Sequence, residues 1–168
     1  MISVQDQSGR FFSGEHDHRH CVATALQDAR AVCAERGARL TPVRQRVLEI
    51  IWQSHRPLGA YAILEVLSGE GHSPAPPTVY RALEFLLTHG LVHRLSSLNA
   101  FIGCTRPGHP GAGQFLLCTS CGTAAELNDT RIERAIERSA EAEGFTSQVH
   151  TVEISGLCPH CRSSAHAE

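Results

Sequence analysis

The chain has 168 residues, 42% hydrophobic and 19% charged, which excludes wholesale disorder and fits one domain or two small ones. Its formal net charge of −2 excludes a uniformly basic coat for nucleic acid but leaves room for a local basic patch. No apolar run approaches the roughly 18–20 residues of a membrane span, and the first residues lack the pattern of a signal peptide, so we expect a cytoplasmic protein.

The first half of the chain is predicted to be helical, after a flexible His-rich arm at 1–21 that shows no hydrophobic period. Helices are predicted at 24–36, from 41–42 onward, at 60–67 and from 76 to the glycine at 90, and a hairpin joins extended stretches at 91–95 and 100–103. This order is typical of a winged helix-turn-helix domain, here 22–103, with the fourth helix as the recognition helix.

A Gly/Pro-rich break at 106–113 introduces a second, smaller half. We predict a hinge at 104–113, a dimerisation domain at 114–162 with strands at 114–118, 123–127 and 149–154 and a helix at 129–143, and a tail at 163–168. A unit of about 50 residues has a small core, and metal binding with dimerisation is the usual remedy. The expected fold class is α+β: a winged helix-turn-helix domain followed by a small α/β dimerisation domain with a four-cysteine zinc knuckle.

Two C-x-x-C pairs, Cys118 with Cys121 and Cys158 with Cys161, are the strongest chemical signal. The chain holds 7 Cys and 11 His, and thiols in a chain without an export signal are more typical of metal ligands or redox groups than of disulfides. Four sulfurs complete the coordination of one tetrahedral ion, so the spacing predicts structural zinc. Buried cysteines or two redox pairs are the alternative.

A looser set of donors surrounds the boundary between the halves: His93, Cys104, His109 and Glu126. Spacing alone is a weak argument, because any of these residues can have an ordinary role, such as a surface histidine or a small buried thiol. We treat the four residues as one set because all of them lie at or beside this boundary. A mixed set of nitrogen, sulfur and oxygen donors suits zinc better than magnesium or calcium.

The start of the fourth helix is predicted to contact DNA. Its apolar stripe faces the core, which leaves Thr78, Tyr80 and Arg81 near the helix start and outward. Arginine can donate two hydrogen bonds to guanine O6 and N7. An exposed Tyr-Arg pair is also common on ordinary surfaces, so this prediction depends on the winged-helix assignment.

Together these features resemble the ferric uptake regulator family of metal-sensing repressors. The resemblance runs from Arg39-Leu40-Thr41-Pro42 through PPTVYRALEFLLTHGLVHR to the two C-x-x-C pairs and covers about residues 24–162. Within the family the chain is similar to the zinc-responsive members, because residues 114–117 lack the histidines usual in iron and peroxide sensors and a cysteine follows the wing. The resemblance implies a homodimer with two zinc ions per chain, a structural ion at Cys118, Cys121, Cys158 and Cys161 and a regulatory ion at His93, Cys104, His109 and Glu126.

We therefore expect a zinc-responsive transcriptional repressor that binds double-stranded operator DNA as a zinc-loaded dimer and controls zinc uptake genes. An iron or peroxide sensor of the same family is the nearest alternative, and another is a zinc-buffering protein that uses the arm residues His16, His18, His20 and Cys21. A zinc hydrolase is not expected, because catalytic zinc keeps a position open for water. His150 is left without an assigned role.

Overall fold

The computed structural model describes residues 18–71, 75–108 and 113–165, and in these ranges the chain forms six helices and five strands. The helices are α1 His18–Glu35, α2 Pro42–Trp52, α3 Ala60–Gly69, α4 Pro76–Thr88, α5 Thr130–Ala142 and α6 Pro159–Ala165. The strands are β1 Val92–Leu95, β2 Ala100–Gly103, β3 Gly113–Cys118, β4 Ala124–Glu126 and β5 Thr151–Gly156. The predicted α+β class is confirmed. None of the described helices combines the length and apolar character needed to cross a bilayer.

Helices α1 to α4 pack around one hydrophobic core. α2 begins at a cap, because the Thr41 hydroxyl accepts a hydrogen bond from the Arg44 N–H and Pro42 fits the first helical position. The apolar stripes of α2 and α4 meet in this core, whose most deeply buried members include Val47, Leu48, Ile63, Leu83 and Leu86. This packing fixes the orientation of α4, the predicted recognition helix.

The wing is the hairpin of β1 and β2, and its two faces belong to different cores. Since successive strand residues alternate, His93 and Leu95 lie on one face of β1 and Val92 lies on the other. Val92 joins the helical core. Leu95 is fully buried in a second core, whose other members are Phe115, Leu117, Ala124 and, partly buried, Ile102. The wing therefore packs directly on the C-terminal sheet.

The C-terminal half is a three-stranded sheet with the order β4-β3-β5, in which β3 pairs antiparallel with β4 and parallel with β5. Phe115 of β3 lies opposite both Glu126 of β4 and Glu153 of β5, so these three side chains share the face that packs against the wing. Asp129 caps α5 by accepting a hydrogen bond from the Arg131 N–H, yet α5 buries none of its residues in this chain.

Two elements differ from the prediction. α1 begins at His18 and not at Thr24, and Cys21 is buried on it, so the last residues of the predicted arm are helical. The polar first turn of α1 lacks the apolar period on which the prediction depends. α6 has no counterpart among the predicted elements and extends into the predicted tail. The other element boundaries agree with the prediction within two residues, and the domain limits remain predictions.

Candidate metal centres and DNA interface

The four knuckle cysteines come together at one end of the C-terminal sheet. Cys118 ends β3, and because β5 runs parallel to β3, the second pair arrives at the same end. The sulfur atoms of Cys118, Cys121, Cys158 and Cys161 all lie within 4.8 Å of one another. Zinc–sulfur bonds of about 2.3 Å set neighbouring sulfurs of a tetrahedron about 3.8 Å apart. The Sγ atoms of Cys121 and Cys158 are 3.8 Å apart, so the donor set fits zinc.

Hydrogen bonds lower the pKa of two of these thiols and prepare them for a metal. The Cys158 N–H donates to Cys118 Sγ at 3.3 Å. Such donation, from the backbone of Cys121 first and of Cys158 second, lowers the pKa of the Cys118 thiol to about 6. A hydrogen bond with the Thr123 side chain lowers the pKa of Cys121. Since the thiolate is the form that binds metal, both shifts favour metal uptake at neutral pH. At Cys161 the Ser120 side chain acts to lower the pKa, but hydrogen bonding with the other cysteines and burial raise it to about 11.

A second group of donors lies between the wing and the sheet. Donor atoms of His93, Cys104 and Glu126 lie within 4.8 Å of one another, and all three residues are buried. His93 projects from the sheet-facing side of β1, Cys104 directly follows β2 and Glu126 ends β4. His93 Nε2 is 3.6 Å from Glu126 Oε1 and has no hydrogen-bond partner among the described residues. A buried, unpartnered ring nitrogen beside a carboxylate and a thiol fits a zinc ion. We call these three residues the junction site.

Burial sets the protonation of the junction site. It lowers the pKa of His93, an effect that the charge of Glu126 offsets only in part. The imidazole is therefore neutral near pH 7 and keeps a lone pair for a metal. Burial first, and the charge of Glu126 second, raises the pKa of the Cys104 thiol to about 12. Metal binding through this sulfur therefore releases a proton.

Thr105 and Gly113 support the junction site, and neither was predicted as a site residue. The Thr105 N–H donates a hydrogen bond to Glu126 Oε2 at 2.9 Å, so the other carboxylate oxygen, Oε1, faces His93. A Cβ at Gly113 would lie 2.4 Å from the Phe115 ring and 3.4 Å from His93 Nδ1, so glycine is needed for this close approach. In the sequence, only the position of Thr105 next to Cys104 points to a role at this site. Gly113 lies in the Gly/Pro-rich break, which predicts a hinge and not a site residue.

Some predicted residues cannot be placed at either centre. His109, the predicted fourth regulatory donor, and His16 of the arm lie outside the described residues. His150 precedes β5, and its Nε2 is buried, but it joins neither donor group in the described part of the chain. The metal-ligand roles of all these residues, and of the two donor groups, remain predictions.

The start of α4 presents the residues predicted to contact DNA. Tyr80 and Arg81 are exposed and Thr78 is half-buried, while the apolar stripe of α4 packs inward. Tyr61 of α3, 71% exposed, lines the same groove as Tyr80, together with Arg94 of the wing. Tyr61 was not predicted as a contact because α3 carries no basic residue that would signal an interface. DNA contact by any of these residues remains a prediction.

A winged helix joined to a small sheet, with one donor group at a knuckle and another at the junction, defines a metal-responsive regulator of the winged-helix class. The model of the ferric uptake regulator family matches residues 35–155. The chain belongs to the ferric uptake regulator family, whose members are transcription regulators.

Individual members of the family are similar to this chain. The zinc uptake regulation protein of Escherichia coli (strain K12) is 35% identical over 139 residues, which cover 81% of this chain and 80% of the relative. XcZur is 40% identical, and its holo crystal structure has a TM-score of 0.78 and covers 83% of this chain and 98% of its own. The apo structure of XcZur has a TM-score of 0.51, and the match covers 85% of this chain and 99% of that chain. A zinc uptake regulator complexed with zinc and DNA is 30% identical and has a TM-score of 0.80. The match covers 91% of this chain and 100% of that chain.

Proposed function

We propose that this chain is a zinc-responsive transcriptional repressor that binds operator DNA as a zinc-loaded homodimer and controls zinc uptake genes. One observation carries the proposal: the junction site takes His93 and Cys104 from the wing side and Glu126 from the sheet. Bound zinc supplies a cross-link between the two halves there. The Cys104 sulfur favours zinc over iron, because a soft thiolate donor suits zinc. The zinc uptake regulators among the relatives support the same metal.

The two donor groups have different roles in this proposal. The four-cysteine knuckle offers four thiolates to one ion and leaves no position for substrate, which is the pattern of structural zinc. The junction site offers three described donors, and His109 is the proposed fourth. We therefore propose two zinc ions per chain. The knuckle leaves no position for a substrate, and with His109 as fourth donor the junction site leaves none either, so we propose no catalytic role.

The junction site acts on α4 through the wing. β1 follows α4 closely, the Leu91 N–H donates to the Leu86 carbonyl at 2.9 Å, and Val92 packs in the same core as α4. An interaction that fixes His93 against the sheet therefore also fixes the position of α4. In a dimer this fixes the distance and angle between two recognition helices, and so the match to a two-fold operator. Thr78, Tyr80 and Arg81 are the proposed DNA contacts, and the solved complex of a related zinc uptake regulator with DNA supports DNA binding by this chain.

The arrangement of the two halves supports a metal-dependent change of shape. This chain has a TM-score of 0.78 to holo XcZur but 0.51 to apo XcZur, at 40% identity in both comparisons. Since the identity is the same, the difference in TM-score reflects conformation and not sequence. A metal that binds one arrangement better than the other shifts the population towards it.

The exposed surface of the C-terminal half supports the homodimer. α5 buries none of its residues, and β5 is largely exposed on the face away from the wing. Large apolar side chains are exposed in this half: Phe145, Val149, Ile154 and Leu157. An apolar surface of this kind is typical of an interface, and a second copy of the chain would cover it.

The experiment that tests the proposal is a gel shift on the promoter DNA of this gene. We expect binding with zinc, loss of binding with a chelator and recovery when zinc is added back. Random DNA of the same length is the control. Recovery with ferrous iron but not zinc, or loss of binding on peroxide treatment alone, would favour the iron or peroxide sensor. Zinc uptake without specific DNA binding would favour the zinc-buffering protein.

A further inference from the structure

A carboxylate of the C-terminal sheet binds the tip of the wing. Glu153 of β5 accepts hydrogen bonds from the Ser96 N–H at 2.7 Å and from the Ser97 N–H at 3.1 Å. The Ser97 hydroxyl donates to the same carboxylate. Ser96 and Ser97 form the turn between β1 and β2, and they lie 57 and 56 positions from Glu153 in the sequence. The contact thus joins the two halves of the molecule.

The register of the sheet explains why Glu153 points towards the wing. Glu126, Phe115 and Glu153 form one row across β4, β3 and β5, on the face that the wing covers. The two carboxylates flank the buried Phe115 ring on either side. Glu126 reaches the junction site at one end of the wing. Glu153 reaches the turn at the other end.

The contact at Glu153 uses no metal ligand. Among the described residues, Glu153 is in neither donor group, and its partners are two backbone N–H groups and a hydroxyl. Burial acts to raise the pKa of Glu153, but the hydrogen bonds from Ser97 and Ser96 outweigh it and hold the pKa below its ordinary value. A charged carboxylate accepts stronger hydrogen bonds than a neutral group does.

We propose that Glu153 is a positioning residue, a second tether of the wing that needs no metal and sets how much zinc the junction site requires. The inference rests on the proposed function, because it assumes that zinc binds the junction site. The Glu153 contact exists in the closed arrangement, where the wing lies on the sheet, so it favours the same state that zinc favours. Two interactions that favour one state strengthen each other, and removal of the tether therefore weakens zinc binding at a site that it does not touch.

The experiment measures zinc uptake by the full-length dimer without DNA, by competition with a chelator of known affinity. Glu153→Ala removes all three hydrogen bonds, and we expect the free zinc needed to half-fill the second site to rise about three- to tenfold, as for charged hydrogen bonds that are partly exposed. Glu153→Gln keeps one acceptor and nearly the same side-chain shape, so it should give a smaller rise in the free zinc needed. It still tests the contact if Glu153→Ala fails to fold. Glu35→Ala, exposed at the end of α1 and away from the proposed dimer surface, is the matched control and should change nothing.

A double-mutant cycle separates positioning from general destabilisation. Ser97→Ala removes one hydrogen bond to Glu153, so its effect on zinc affinity should largely vanish when Glu153→Ala is already present. Additive effects, or a Glu153→Ala variant that takes up its second zinc like wild type, would overturn the inference and leave the proposed function intact. A wild-type dimer that takes up zinc at the knuckle and nowhere else would overturn the proposed function and this inference with it.

Discussion

Replacing Cys104 with serine should separate sensing from folding. The side chain is 4% exposed and contributes the soft donor of the junction site. Loss of a residue that merely supports a ligand costs roughly 10–100-fold in metal affinity, so loss of the thiolate itself should raise the free zinc needed at this site by more than about 100-fold. The knuckle keeps its four thiolates, and Cys104→Ser should therefore remain a folded dimer with about one zinc per chain.

The same substitution should remove a pH dependence. With a pKa of about 12, the Cys104 thiol is protonated at neutral pH, so zinc uptake releases one proton. The dissociation constant of the junction site should then fall about tenfold for each unit by which the pH rises above neutral. His93, whose pKa is lowered, is already neutral there and adds no further slope. In Cys104→Ser the slope should disappear.

Chelator competition at several pH values, with zinc content and dimer mass recorded on the same samples, checks both expectations. Cys33→Ser is the matched control, because Cys33 is another buried thiol but belongs to neither donor group. Wild-type affinity and slope in a folded C104S dimer would refute the assignment of Cys104 to the junction site. Loss of the dimer would instead assign Cys104 a structural role.

Three further substitutions test the knuckle, the DNA interface and the packing of the wing. Cys121→Ser should unfold the C-terminal half and leave monomer, since structural zinc can contribute on the order of 10 kcal/mol; a dimer with unchanged melting would contradict this. Arg81→Ala should cost about 1–3 kcal/mol on operator DNA and little on random DNA, and an equal loss on both would mean a phosphate contact. Gly103→Ala places a Cβ 2.3 Å from the Trp52 ring and should lower stability by about 1–3 kcal/mol in thermal melting, whereas Gly156→Ala, with open space around it, should not.

The sequence allowed the elements and the knuckle to be predicted because their signals are local. The second helix has a Thr-Pro cap and an apolar period, and the wing has two short extended stretches with a turn between them. The C-x-x-C spacing brings the two sulfurs of each pair together locally, and only the meeting of the two pairs depends on the pairing of β5 with β3. The first turn of α1 lacks such a signal, since its residues are polar and its buried face becomes apolar only from Cys21 onward.

The support of the junction site could not be predicted, because it depends on contacts between distant segments. Thr105 orients Glu126, and Gly113 leaves space for His93. Leu95 of the wing packs in the core of the C-terminal sheet. Glu153 is separated from the turn that it binds by more than 50 residues, and its direction follows from the pairing of β5 with β3. Single-residue patterns carry no information about such pairing.

The position of the wing between two cores has a consequence for temperature. Swinging the wing off the sheet would bring Leu95 and Phe115, both fully buried, into contact with water. The attachment of the wing is therefore partly hydrophobic, and hydrophobic contacts weaken on cooling. At a fixed zinc concentration, this hydrophobic part of the attachment therefore stabilises the wing position less in a colder molecule. In the proposed repressor, the zinc level needed for DNA binding would thus be linked to temperature through two apolar side chains that bind no metal.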